Sequence, residues 1–274
     1  MNVEYRDSEL PFRDIGQCIY CGDKTSPLSR EHVLPKGLDG ANSPRDFHDA
    51  LVLRNASCES CRKNTQTLEL EVLRNTLDTA RQVLGIKGKE QRGKRVTAHL
   101  ESFDGTSEMR ELDITDVPVG IVLPTFEKAS IVESNTKKSV YSYGDIVIRI
   151  ISKANPALVA KYRRVGGVGI QIEPARYAQM LAKIALGVAV ARYGIDGFEP
   201  LVGNFVIGNK KEFGHWVGRA DPQDVSFSSE DFHCIALKEK ATSNGSFIFA
   251  YIQLFAEFSC PIHYVIVGRP KVNC

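Results

Sequence analysis

Cys18-x2-Cys21 and Cys58-x2-Cys61 offer four soft sulfur ligands from two tight turns, and the string Ser29-Arg-Glu-His-Val-Leu-Pro35 lies between them. Four thiolates in this arrangement suit a tetrahedral structural zinc. The duller alternative, two unrelated pairs of buried thiols, has the joint spacing against it. Seven cysteines, an odd number, also fit ligands and buried thiols better than a disulfide framework. Between the pairs, the adjacent Glu31 and His32 could form a reaction centre. An imidazole with an ordinary pKa of about 6.5 takes a proton from water near neutral pH. A carboxylate suits a hard cation such as Mg2+ or Mn2+. Neighbours on a strand point to opposite faces, so Glu31 and His32 share one site only if the strand ends or bends there. Pro35 and Gly37 supply the expected bend, and Lys36 stands where it could meet a phosphate.

The order of these pieces resembles the zinc-bound branch of the HNH endonucleases, with their ββα-metal fold. In that family a CxxC knuckle precedes a strand with Asp-His or Glu-His, then come a Pro/Gly loop, an Asn, a second CxxC and a helix. The resemblance covers residues 18 to 84 and implies metal-dependent hydrolysis of phosphodiester bonds in DNA. Carried onto this chain, it makes His32 the general base and Glu31 a ligand of a catalytic Mg2+ or Mn2+. Asn55 becomes the brace of the loop, although it sits closer to Cys58 than the family's spacing. The family's last ligand, His or Asn, lies at or just after the final cysteine. Here Arg62 takes that place, and Asn64 is the nearest candidate. A looser likeness over the later residues, to uncharacterised bacterial proteins with an amino-terminal HNH unit, adds no activity. Restriction or phage defence is the role the family suggests. The competing expectation is a non-catalytic, zinc-stapled nucleic-acid-binding protein in which Glu31 and His32 merely cap a turn.

Charge adds to this picture through its distribution. Net charge is only +2, which argues little for a nucleic-acid partner. Residues 62 to 95, however, hold nine Lys or Arg against four Asp or Glu. Arg62, Lys63, Lys87, Lys89, Arg92, Lys94 and Arg95, with Lys36, are the candidate phosphate contacts, double-stranded DNA being the expected partner. A solvated linker is the plain alternative. Self-association as a homodimer is a further expectation.

The elements that must position these residues follow from pattern. A chain of 274 residues with 43% hydrophobic content suffices for two domains. Met1 to Glu9 has no signal-like apolar run, and no stretch reaches about 18 uninterrupted apolar residues, so a soluble cytoplasmic protein with no membrane partner is expected. Residues 1–17 read as a leader, 18–85 as the cysteine-framed unit and 86–96 as a basic linker. The expected fold class is α+β, residues 97–274 forming a larger domain with a mainly antiparallel sheet and one long buried helix. In the first unit, Leu68, Val72, Leu73, Leu77, Ala80 and Leu84 recur at helical spacing from Asn64 or Thr65, with Gly85 as cap. In the second, Asp145 to Ile151, Phe247 to Phe258 and His263 to Val267 read as strands. Pro174 opens a helix apolar on most faces from Tyr177 to Tyr193, and Gly194 stops it.

The larger domain would choose the target or regulate cutting. A separate small-molecule activity there finds no phosphate loop or nucleophile elbow to support it. His233-Cys234 and Cys260-x2-His263 would form a second metal site if their strands were neighbours, core packing being the default. His48, His99 and His215 read as loop or structural residues, and Arg163 and Arg164 before Gly166-Gly167 as a basic turn.

Overall fold

In a computed structural model, the chain is described over residues 3–4, 14–38, 52–86, 95–132, 143–166, 170–208, 213–221 and 223–271. Most of the leader, His48, Gly167 and the basic residues Lys87, Lys89, Arg92 and Lys94 lie outside these residues.

A short β1 (Val3–Glu4) precedes the hairpin β2 (Leu28–His32) and β3 (Val52–Cys58), with a 3-10 turn at Lys36–Leu38. Helix α1 (Glu59–Glu71) follows directly, runs into a π-helical turn at Val72–Thr76, and resumes as α2 (Asp78–Val83). Next come β4 (Arg95–Ser102), β5 (Ser107–Asp113), β6 (Val119–Phe126) and β7 (Tyr143–Ser152). After them lie α3 (Pro156–Lys161), β8 (Tyr162–Val165), α4 (Pro174–Tyr193) and β9 (Phe198–Pro200). The chain closes with α5 (Gly203–Ile207), α6 (Phe213–Trp216), β10 (Val217–Arg219), β11 (His233–Thr242), β12 (Gly245–Leu254) and β13 (His263–Pro270).

The result is a mixed α+β fold in which every pairing of these strands is antiparallel. The largest sheet has the order β1-β11-β12-β13-β10, with β9 also on β13. Smaller sheets are β2-β3, β5-β4-β8 and β6-β7. No helix of the described residues is long and apolar enough to cross a membrane.

The long helix α4 behaves as its pattern requires. Pro174 takes its first turn, where a missing N–H costs nothing, and Gly194 leaves it at φ 75. Every residue from Tyr177 to Ala191 is buried, because the helix is sandwiched between β12 and β13 on one side and α1 on the other. One apolar cluster therefore runs from Cys18 and Leu68 through Met180 and Leu186 to Ile252 and Val265. The hydrophobic core does not break at the expected linker; the cysteine-framed residues and the later ones bury their apolar faces together.

Three local expectations need correction. The first helix begins at Glu59, earlier than Asn64, since Glu59 favours the positive helix start and ion-pairs with Arg62 and Lys63 one turn on. Its apolar repeat is carried by α1, the π turn and α2 in succession. The strand expected to reach Phe258 ends at Leu254, because Phe255 adopts left-handed backbone at φ 56 and starts a 3-10 turn. The second metal cluster does not form: β12 lies between β11 and β13, both ring nitrogens of His233 are held by backbone groups, and His263 turns its Nε2 to the Pro124 carbonyl.

Candidate metal centre

Two backbone turns bring the four cysteines together. In the first, Gly22 N–H donates to Cys18 O and Cys18 N–H to Asp23 O, each at 2.8 Å, with Gly22 at φ 76. Asp23 braces the exit by accepting from Ser26 and from the backbone and hydroxyl of Thr25, and these bonds, that of the Ser26 side chain foremost, lower its pKa to about 2. The second pair spans the end of β3 and the start of α1, with Cys58 at the helix N-cap. A bulge in β3 ties the pairs together. Arg54, Asn55 and Ala56 stand against Arg30 alone, and Asn55 has φ 48. The extra carbonyls turn outward and accept from Ile15 (3.0 Å) and Ile19 (2.8 Å).

All four sulfurs lie within 4.8 Å of one another, and Cys21 and Cys58 are 3.8 Å apart. Sulfurs about 2.3 Å from a central tetrahedral zinc would be about 3.8 Å apart, so the spacing fits that ion. Cys18, Cys58 and Cys61 are buried and Cys21 is exposed. Burial, reinforced by the neighbouring sulfurs, pushes the Cys61 thiol far above its usual range, whereas the Cys61 backbone N–H holds Cys58 below it. Four thiolates would fill a tetrahedral shell, so a zinc held here would be structural. Among the described residues it is the only group of three or more His, Cys, Asp or Glu side chains close enough to share an ion.

Compared with protein-family models, curated proteins and solved structures, the chain matches none. Its chemistry rests on its own geometry.

The two residues between the cysteine pairs are separated by the strand they share. His32 ends β2, half-buried and opposite Val52. Glu31 points inward, 5% exposed, and its carboxylate meets the Lys183 ammonium of α4 at 2.9 Å. That ammonium has no exposed surface and also ion-pairs with Glu69 of α1 at 2.7 Å. Burial alone would lower the Lys183 pKa, but the two carboxylates overcome it and raise it. Beside Glu31 the buried Tyr20 hydroxyl makes no hydrogen bond of good geometry among the described residues. Burial first, and then the Glu31 charge, lift the Tyr20 phenol well above its ordinary value.

The remaining candidates scatter. Asn55 is exposed and donates to the Asp14 carboxylate at 2.9 and 3.1 Å, bracing the segment before the knuckle. Asn64 is exposed on α1 and donates to the Ile207 carbonyl of α5 at 3.4 Å. Lys36 is exposed, Arg62 and Lys63 both turn to Glu59, and Arg95 faces Glu111 at 3.9 Å. Arg163 pairs with Glu101, His215 bonds Ser130 through Nδ1, and His99 is exposed on β4. Glu31 and Asn64 thus have different partners on different faces, and with an ammonium on Glu31 they do not fit as the donor set of a divalent ion. Lys183 and Glu69 were missed by sequence reasoning. The signal was there: Lys183 is the one charged residue between Tyr177 and Ala191.

Proposed function

We propose that this chain is a zinc-stapled nuclease of the HNH type that hydrolyses phosphodiester bonds in nucleic acid, duplex DNA first among them. The observation that supports this reading is the succession of knuckle, hairpin and helix, with four sulfurs gathered at their junction and His32 at the last residue of β2. In this role the His32 ring takes the proton of the attacking water as the new P–O bond forms and the bond to the leaving sugar oxygen breaks. The zinc holds the hairpin to the helix and does not touch the reaction. No step is assigned to Mg2+ or Mn2+, since Glu31 and Asn64 do not offer it a site. Residues 97–274 would select the target or regulate cutting, and restriction or phage defence is the biological setting this suggests.

A second reading, a zinc-stapled nucleic-acid-binding protein without catalysis, is favoured by one observation: the Glu31 carboxylate is already neutralised by Lys183. Incubating the zinc-loaded chain with supercoiled plasmid, or with a matched RNA, in Mg2+ or Mn2+ separates the two. Nicking that falls by roughly 10²- to 10⁴-fold in His32→Ala, with zinc content and nucleic-acid affinity retained, is the expected result. Binding without nicking would favour the second reading, and full activity in the variant would remove His32 from the chemistry.

A further inference from the structure

Four oxygens, from β2, the residue that follows it and α1, converge on one nitrogen of α4 at the end of β2. The Lys183 ammonium lies 2.9 Å from Glu31 Oε1 and 2.7 Å from Glu69 Oε1. It also donates to the His32 carbonyl and, more weakly at 3.4 Å, to the Val33 carbonyl. Two carboxylates and two backbone carbonyls are what a hard cation takes as ligands. A lone buried ammonium would lose its proton, so the charge of this one depends on the cage around it. The cage in turn depends on the ammonium, because two carboxylates this close repel unless a cation lies between them. Lys183 arrives on a helix whose surroundings are closed on every side, already free of bulk solvent and tethered in place. A hydrated divalent ion would have to shed water and displace it.

We infer that Lys183 is the resident cation of a buried oxygen cage, so that Glu31 ligates an ammonium and the native chain holds no divalent ion there. Lys183 then does the work of a metal without being one, fastening β2, α1 and α4 to a single point. The carbonyl it grips belongs to His32, which makes Lys183 a positioning residue for that strand end. The cage goes beyond the proposed nuclease activity and stands whether or not the chain cleaves anything. Two carboxylates against one ammonium leave an excess negative charge, so a vacated cage would attract a doubly charged ion strongly.

The test uses the zinc-loaded full chain, with Mn2+ binding followed by electron paramagnetic resonance and stability by Tm. Native protein and Glu31→Gln should bind Mn2+ alike. Lys183→Ala should gain one Mn2+ site that disappears when Glu31→Gln is added. Its Tm should rise by about 5 °C or more in saturating Ca2+ or in n-propylammonium, which replaces the missing stem and head, while the native Tm stays put. A native Mn2+ site that is lost in Glu31→Gln would overturn the inference. So would a folded Lys183→Ala that responds to neither cation. If Lys183→Ala does not fold, the comparison of native protein with Glu31→Gln decides alone. None of these readouts depends on cleavage, so failure of the cage and failure of the nuclease reading are told apart.

Discussion

Acid should weaken this fold through His263, the first residue of β13, which has no exposed surface. Its ring is boxed by Phe126 and Tyr177, each 5.5 Å away between centroids. Nε2–H donates to the Pro124 carbonyl at 2.9 Å, and Nδ1 is buried with no hydrogen-bond partner among the described residues. Protonation would add an N–H at Nδ1 with nothing to accept it. Burial, the dominant cause, holds the pKa at about 4 against an ordinary 6.5. The folded value lies below the unfolded one, so the stabilisation from a neutral ring is complete above about pH 6.5 and is lost as pH falls toward 4. Between pH 7 and pH 5 this one ring should remove about 2 kcal/mol of stability. Urea unfolding of native protein and His263→Gln at both pH values isolates the term, because protonation of the thiolates and of His233 is common to both. The native chain should lose about 2 kcal/mol more than the variant over that interval. Equal losses would refute the assignment of a neutral, acid-sensitive ring.

Two further predictions concern the metal and the packing beside it. Structural zinc contributes on the order of 10 to 16 kcal/mol to folding of small peptides, so Cys58→Ser should lose its zinc by elemental analysis and unfold the shared core cooperatively. Metal-free native protein with an unchanged Tm would count against the site. Gly187, inside α4, faces Val33, whose methyl carbons would stand 2.9 and 3.0 Å from an added Cβ. Alanine would gain about 0.5 to 1 kcal/mol of helix preference but lose about 1 to 3 kcal/mol to overpacking, so Gly187→Ala should lower Tm. A variant as stable as the native chain would show that Val33 yields easily.

What could be read from the sequence divides by range. The cysteine pairs were legible because each is a local turn, and their union in space needed only one hairpin between them. The long helix was legible from Pro174, Gly194 and its continuous apolar face. The fate of Glu31 was not, because its partner Lys183 is far away in the chain and nothing local links the two. A lysine in an apolar helix signals a buried partner without saying which. The change in texture near residue 90 suggested a domain boundary, yet composition is blind to which faces pack together, and Leu68 and Met180 share one core. The separation of His233 from His263 depended on β12 entering between their strands, an order that spacing along the chain does not encode.

The bond from Lys183 to the His32 carbonyl spans 151 residues, which gives the fold a timetable during synthesis. At about 5 to 20 residues per second, the ribosome needs roughly 8 to 30 s to reach Lys183 after His32. Cys61 and Glu69 emerge early in that interval. A nascent chain can therefore complete its sulfur cluster while Glu31 and Glu69 still face each other without their ammonium. The four cysteines are complete first and the helix comes later, so a chain that stops short of α4 has its whole sulfur cluster but leaves the hairpin end unlatched.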